Sequence, residues 1–191
     1  MSTPVSPAMP ADRTAEPAPT TWTLPPLGAL LVAIVLIACA EIGGAAMVRF
    51  KIDLARWARS TMLRHPAVHG LVGVRDVDEQ VLDEALVKFD AGLRLFHMHA
   101  EGMGLVIIGT TMVAVTLTAS PVSRRVIVLL LTIGGAGYPL GYLAWSALIP
   151  YHGIERGKTL AEWFCWVPFG GATIVAMWWL TAVVAARMVR R

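Results

Sequence analysis

The chain has 191 residues, of which 56% are apolar and only 15% charged, and its formal net charge is +3. A soluble domain carries about a quarter charged residues, so this composition excludes a disordered chain and an ordinary soluble enzyme and indicates a protein in lipid. Two cysteines exclude a disulfide-rich scaffold, and the short Lys/Arg clusters beside apolar runs are typical of membrane flanks rather than of a nucleic-acid interface.

The N-terminal segment, residues 1–26, is predicted to be a disordered tail. It contains seven of the twelve prolines, surrounded by Ala, Ser and Thr. A segment of this composition cannot bury enough apolar surface to offset its chain entropy.

Four apolar runs follow the tail, at residues 27–48, 95–119, 126–149 and 163–186. Each has at least 22 residues, and a helix needs about 20 to cross the hydrocarbon core of a bilayer. The sequence therefore predicts an all-α polytopic membrane protein, with a four-helix transmembrane bundle over residues 27–191. Tryptophans near the proposed span boundaries are predicted to be interface anchors. They are Trp22, Trp57, Trp145, Trp163 and Trp166.

The connection between the first two spans, residues 49–94, is a long polar interfacial region that is basic first and acidic later. Asp76 and Glu79 have the spacing of an N-terminal capping box. Apolar residues recur at helical spacing from Val77 onward, which predicts an amphipathic helix that continues towards the second span. The arginines around Trp57 indicate a shorter basic helix on the lipid headgroups. The other connections are short: a turn at residues 120–125 and a loop at residues 150–162.

Cys39 ends a tetrapeptide with the spacing of a bacterial lipoprotein cleavage site. The 26 residues before the apolar run contain one basic residue, Arg13, and the run continues past Cys39 to Val48. A cleaved signal peptide needs a basic start and a short apolar region, so we expect an uncleaved helix.

The two sides of the membrane differ in charge. We call the side that carries the loops between spans one and two and between spans three and four face A, and the opposite side face B. Face A carries ten of the sixteen Lys and Arg residues, which favours a cytoplasmic face A. The Arg124-Arg125 turn and the Arg-rich C-terminus on face B favour the opposite orientation, and the sequence leaves the two open.

Ionisable residues at the span ends collect at face A, which is the strongest functional signal in the sequence. Because each is expensive to bury in lipid, such residues mark functional sites. They are Glu41, His97, His99, Glu101, His152, Glu155 and Glu162.

A haem b site is the first interpretation of this cluster. His97 or His99 would pair with His152 as axial ligands, and Arg94 and Arg156 would neutralise the propionates. His97 and His99 point about 200° apart on one helix, so we expect them to meet different partners.

A transition-metal site is the second interpretation, and it uses a mixed set of imidazoles and carboxylates suited to zinc, iron or copper. The set is Glu41, His97, Glu101, His152 and Glu155. Either cofactor would serve electron transfer or a respiratory or metal-handling complex in the bacterial cytoplasmic membrane. The sequence leaves open whether the protein is an enzyme.

Two other functions remain open beside simple polar packing of the helices. The chain is alternatively an accessory or assembly subunit that packs through Gly137, Gly141 and the Trp178-Trp179 pair against other membrane subunits or a second copy. A small proton-coupled carrier or channel would use Glu41 and His97.

Overall fold

The computed structural model describes residues 21–189, and within this range the chain is helical, without strands. The predicted tail therefore lies outside the described residues as far as Thr20. The elements, in chain order, are α1 (Leu27–Arg49), α2 (Lys51–Leu63), α3 (Pro66–His69), α4 (Arg75–Leu117), α5 (Pro121–His152), α6 (Ile154–Ala161), a π-helical segment (Glu162–Gly170) and α7 (Gly171–Val189).

Within the described range, four helical runs are long and apolar enough to cross a membrane, as the sequence predicts. They are α1, α4, α5 and the continuous run Ile154–Val189. Four long apolar helices with so much exposed surface would be unfavourable in water, so they indicate a membrane protein.

Two of these helices are much longer than a membrane crossing requires. At about 1.5 Å per residue, the 43 residues of α4 extend about 65 Å and the 32 residues of α5 about 48 Å. A hydrocarbon core is about 30 Å thick. The first half of α4 and the end of α5 therefore extend beyond the apolar spans, where they meet α2, α3 and α6.

The start of α4 differs from the predicted capping box. Val74 occupies the N-cap position and no side chain caps the helix. The carboxylate of Asp78 instead accepts hydrogen bonds from the backbone N–H groups of Val72 and Gly73, at 2.8 and 2.9 Å. The prediction was wrong because Asp78 satisfies the preceding turn, while Glu79 forms an ion pair with Arg59 on α2.

The predicted loop at residues 150–162 is also wrong, because most of it is helical. Only Gly153 separates α5 from α6, and its φ of 78° lies in the left-handed region. Glycine adopts that conformation at no steric cost, so a single residue redirects the chain.

Two separate apolar cores stabilise the described part of the chain. The span core joins α1, α4, α5 and α7, and includes Ala33, Ala40, Ala100, Ile107 and Leu131. Small residues allow α1 and α4 to approach closely, and a Cβ at Gly104 would overlap the side chain of Ile37. The cap core lies outside the apolar spans and holds α2, α4 and α5 together. Its buried residues are Ala58, Met62, Leu82, Ala85, Phe89 and Ile149.

Candidate functional site

His97 lies on the side of α4 that faces α1. Its Nδ1–H donates a hydrogen bond to the carbonyl oxygen of Ala40 at 2.9 Å. The ring lies against Gly44, where an added Cβ would be 2.9 Å from the ring Cε1 atom. Because a carbonyl only accepts, this bond requires a proton on Nδ1, so in the neutral ring the lone pair is on Nε2. Metal-ligating histidines in proteins are held in the same way.

A hollow of about 660 Å³ opens beside His97, between α1 and α4, and we call it the His97 hollow. Its lining includes two carboxylates, Glu41 and Asp90, and two cations, Lys51 and Arg94. Arg94 forms an ion pair with Asp90 at 2.7 Å, whereas Glu41 and Lys51 are exposed. The hollow therefore offers one imidazole, one carboxylate and one ammonium group to a ligand.

An apolar hollow of about 250 Å³ adjoins the His97 hollow on the side of α2. The two share Met47, Lys51 and Asp90. The other lining residues of the apolar hollow are hydrophobic: Leu54, Ala55, Leu86, Val87, Phe89 and Leu93. Together the two hollows suit a ligand that has an apolar body and a charged edge.

His99 lies on the opposite side of α4 and packs against α5. Its Nδ1–H donates to the Leu95 carbonyl oxygen at 2.8 Å. Its ring stacks on Tyr142, with a centroid distance of 4.5 Å and an interplanar angle of 29°, and it meets the edge of Tyr138 at 5.7 Å. The predicted divergence of His97 and His99 is confirmed, since the two rings contact different helices.

The rings around His99 form an aromatic cluster that sequence reasoning missed. It comprises His99, Tyr138, Tyr142, Trp145 and Trp166. The hydroxyl groups of Tyr138 and Tyr142 are 3.0 Å apart, and Trp166 lies 4.9 Å from Tyr142. The two tyrosines are four residues apart on one helix, and this spacing is the one feature of the sequence that could have indicated their contact.

Trp145 and Trp166 were predicted to be interface anchors, and in the structure both side chains are partly buried among the helices. A Cβ at Gly141 would overlap the Trp166 ring, so glycine makes the room for it. The Trp166 Nε1 atom is buried without a hydrogen-bond partner among residues 21–189.

His152 lies in a different hollow, of about 350 Å³, beside the cap core, and we call it the cap hollow. His69, Glu84, Glu155 and Arg156 line this hollow with it. Ala85, which also lines it, precedes His97 by twelve residues on α4, a rise of about 18 Å. Two nitrogens that bind one metal ion through bonds of about 2 Å cannot be so far apart. The structure therefore does not bring His152, Glu155 or Arg156 to His97 or His99.

The residues of the predicted metal set lie in three places. Glu41 and His97 share the His97 hollow, and His152 and Glu155 share the cap hollow. Glu101 is exposed on α4 and lines neither. Within residues 21–189, no group of three or more His, Cys, Asp or Glu side chains is arranged to hold a metal ion. These residues are separated because α4 and α5 both extend beyond the apolar spans. Helix ends that the sequence pattern places at one membrane face therefore lie at different distances along the helix axes.

Comparisons with known proteins add no family. The chain matches no protein-family model, and no curated protein or solved structure matches it. The residues around His97 and His99, on the two sides of α4, are therefore the basis for inferring a function.

Proposed function

We propose that the chain is a four-helix protein of the bacterial cytoplasmic membrane that binds haem b in the His97 hollow and uses it for electron transfer. His97 would hold the haem iron through Nε2. The observation that carries the proposal is the hydrogen bond from Nδ1–H to the Ala40 carbonyl, because it orients the ring and leaves the ligating nitrogen free.

Haem suits this site better than a metal ion held by protein ligands alone. A protein-bound zinc or similar ion takes three or four side-chain ligands, and the His97 hollow offers His97 and Glu41 beside an already paired Asp90. The haem ring brings its own nitrogens to the iron, so one or two protein ligands suffice. Met47 also lines the hollow, and its thioether could supply a second protein ligand to the iron.

The chemistry of the two adjoining hollows supports the same ligand. A haem has a flat apolar body, for which Leu54, Leu86 and Leu93 provide contact, and two anionic propionates. Lys51 lines both hollows and is the candidate partner for a propionate, whereas Arg94, which lines the charged one, already pairs with Asp90.

The test is the absorption spectrum and iron content of the protein purified after expression with haem supplied. We expect a Soret band, about one iron per chain, and loss of at least nine tenths of both in His97→Ala. His65→Ala is the matched control, because His65 also donates Nδ1–H to a backbone carbonyl but does not line the hollows beside His97. Absence of a Soret band in the wild-type protein, or a band unchanged in His97→Ala, would contradict the proposal.

A second candidate, an assembly subunit, is favoured by Glu101. This carboxylate is exposed on α4, six residues beyond the predicted start of the span, where an unpaired charge in lipid is costly. The next residue, Gly102, has open space where a Cβ would stand. A neighbouring transmembrane helix with a donor or a cation would satisfy Glu101 there.

The assembly function predicts that Glu101→Gln and Gly102→Leu lower the yield of a native complex while the Soret band is retained. Mass measurement of the complex in mild detergent gives the readout, and Glu162→Gln is the control for loss of an exposed carboxylate. A monomeric wild-type protein would exclude this candidate.

A further inference from the structure

Another hollow lies at face B, at the opposite end of the spans from His97. It has a volume of about 550 Å³ and lies between the start of α1 and the start of α5. Apolar groups form most of its wall, including Gly28, Val32, Val115 and Leu129. Two cations, Arg124 and Arg125, also line it, and we call it the arginine hollow.

The charge of the arginine hollow is unbalanced. Among residues 21–189, no Asp or Glu lines it and neither arginine forms an ion pair. Both arginines lie in the first two turns of α5, whose first turn has no acidic residue. The N-terminus of a helix carries a partial positive charge, which repels these guanidinium groups and attracts an anion.

The walls of the arginine hollow offer no competing polar group. Thr132 lines it, but its hydroxyl group already donates to the Val128 carbonyl at 2.7 Å. A Cβ at Gly28 would meet no atom within 4 Å, so the wall of α1 leaves space there. An apolar space with cations at its membrane-boundary end matches a molecule that has a long apolar chain and an anionic head.

We propose that the arginine hollow binds an anionic phospholipid. Arg124 and Arg125 bind the headgroup phosphate, for which the guanidinium group provides paired N–H donors. An acyl chain fills the space between α1 and α5, beside Gly28 and Val32. Basic pockets between transmembrane helices recognise anionic headgroups in this way.

The experiment is native mass spectrometry of the full-length protein in mild detergent with phosphatidylglycerol, phosphatidylcholine or oleate added separately. We expect phosphatidylglycerol to be retained at least fivefold more than phosphatidylcholine, because the choline ammonium group neutralises the charge of the phosphate. We expect it also to be retained more than oleate, which carries a carboxylate in place of the phosphate. Arg124→Gln with Arg125→Gln is expected to abolish the preference for phosphatidylglycerol over phosphatidylcholine.

A variant that fills the apolar space tests the acyl-chain half of the site. Gly28→Phe is expected to lower retention of phosphatidylglycerol at least threefold, because the ring enters the space beside α1. Gly109→Phe is its control, since Gly109 also has open space at its Cβ position but lies on α4 outside the hollow. Arg187→Gln is the control for loss of a cation at the same end of the spans.

Equal retention of phosphatidylglycerol and phosphatidylcholine would overturn the proposal. An unchanged preference in the double arginine variant, or retention of oleate equal to that of phosphatidylglycerol, would overturn it too. Loss of the preference in Arg187→Gln as well would show a general charge effect and would also overturn it.

Discussion

His97 and His99 lie on two sides of α4 and make the same kind of backbone hydrogen bond, but the surroundings of their rings differ. Each ring donates Nδ1–H to a backbone carbonyl, at 2.9 and 2.8 Å. His97 borders an open hollow with four charged side chains, whereas His99 stacks on Tyr142 inside an aromatic cluster. Two histidines only two positions apart therefore have different surroundings. His97 lies at an open hollow, and His99 lies in a packed interface between helices. The neighbouring helix decides which histidine is available to a ligand.

The largest expected effect comes from the glycine beneath the His97 ring. A Cβ at Gly44 would stand 2.9 Å from the ring Cε1, so Gly44→Val should displace the imidazole and lower the haem content at least tenfold. The measurement is the Soret absorbance per mole of protein. Gly43→Ala is the control, because a Cβ there makes an ordinary 3.5 Å contact with Phe96. Full haem content in Gly44→Val would show that the ring position does not matter.

Substitutions in the aromatic cluster around His99 should change the stability of the protein and leave its haem content unaltered. His99→Ala removes the ring that stacks on Tyr142 and should cost about 2 kcal/mol, whereas His99→Phe keeps a flat ring and should cost less. Thermal unfolding in detergent measures the cost, with the Soret band recorded in parallel. Loss of haem in His99→Phe would mean that His99 is a ligand and would remove the distinction between the two sides.

The smallest expected effect concerns the cation shared by the two hollows. Lys51 is exposed, so its pairing with a propionate is screened by water, and Lys51→Gln should weaken haem binding about fivefold. Haem titration of the apoprotein measures this change. Arg56→Gln should leave the affinity unaltered, because Arg56 pairs with Asp53 and lines neither hollow. Equal effects of the two substitutions would contradict the role of Lys51.

Much of the helical organisation could be predicted from the sequence, because hydrophobic length is a strong signal in lipid. The four spans and the opposite directions of His97 and His99 follow from run length and helical geometry alone. The grouping of His152 with His97 could not be judged in this way. The sequence pattern indicates only that these helix ends lie on the same side of the membrane. In the structure, the cap core holds the end of α5 beside residues of α4 that lie far from His97.

The aromatic cluster escaped prediction for a related reason. Tryptophan near a span boundary is typical of an interface anchor, and only the contact of the π-helical segment with α5 shows that Trp166 turns towards Tyr142. Contacts between helices distant in the sequence depend on packing, which a single sequence does not specify.

Optical titration of His97→Gly with imidazole tests directly whether His97 binds the haem. We expect this variant, purified without haem, to bind added haem with a normal Soret band only when imidazole is present, because the free base replaces the missing ring. His99→Gly should bind haem without imidazole. Haem binding by His97→Gly that is independent of imidazole would show that His97 is not the ligand.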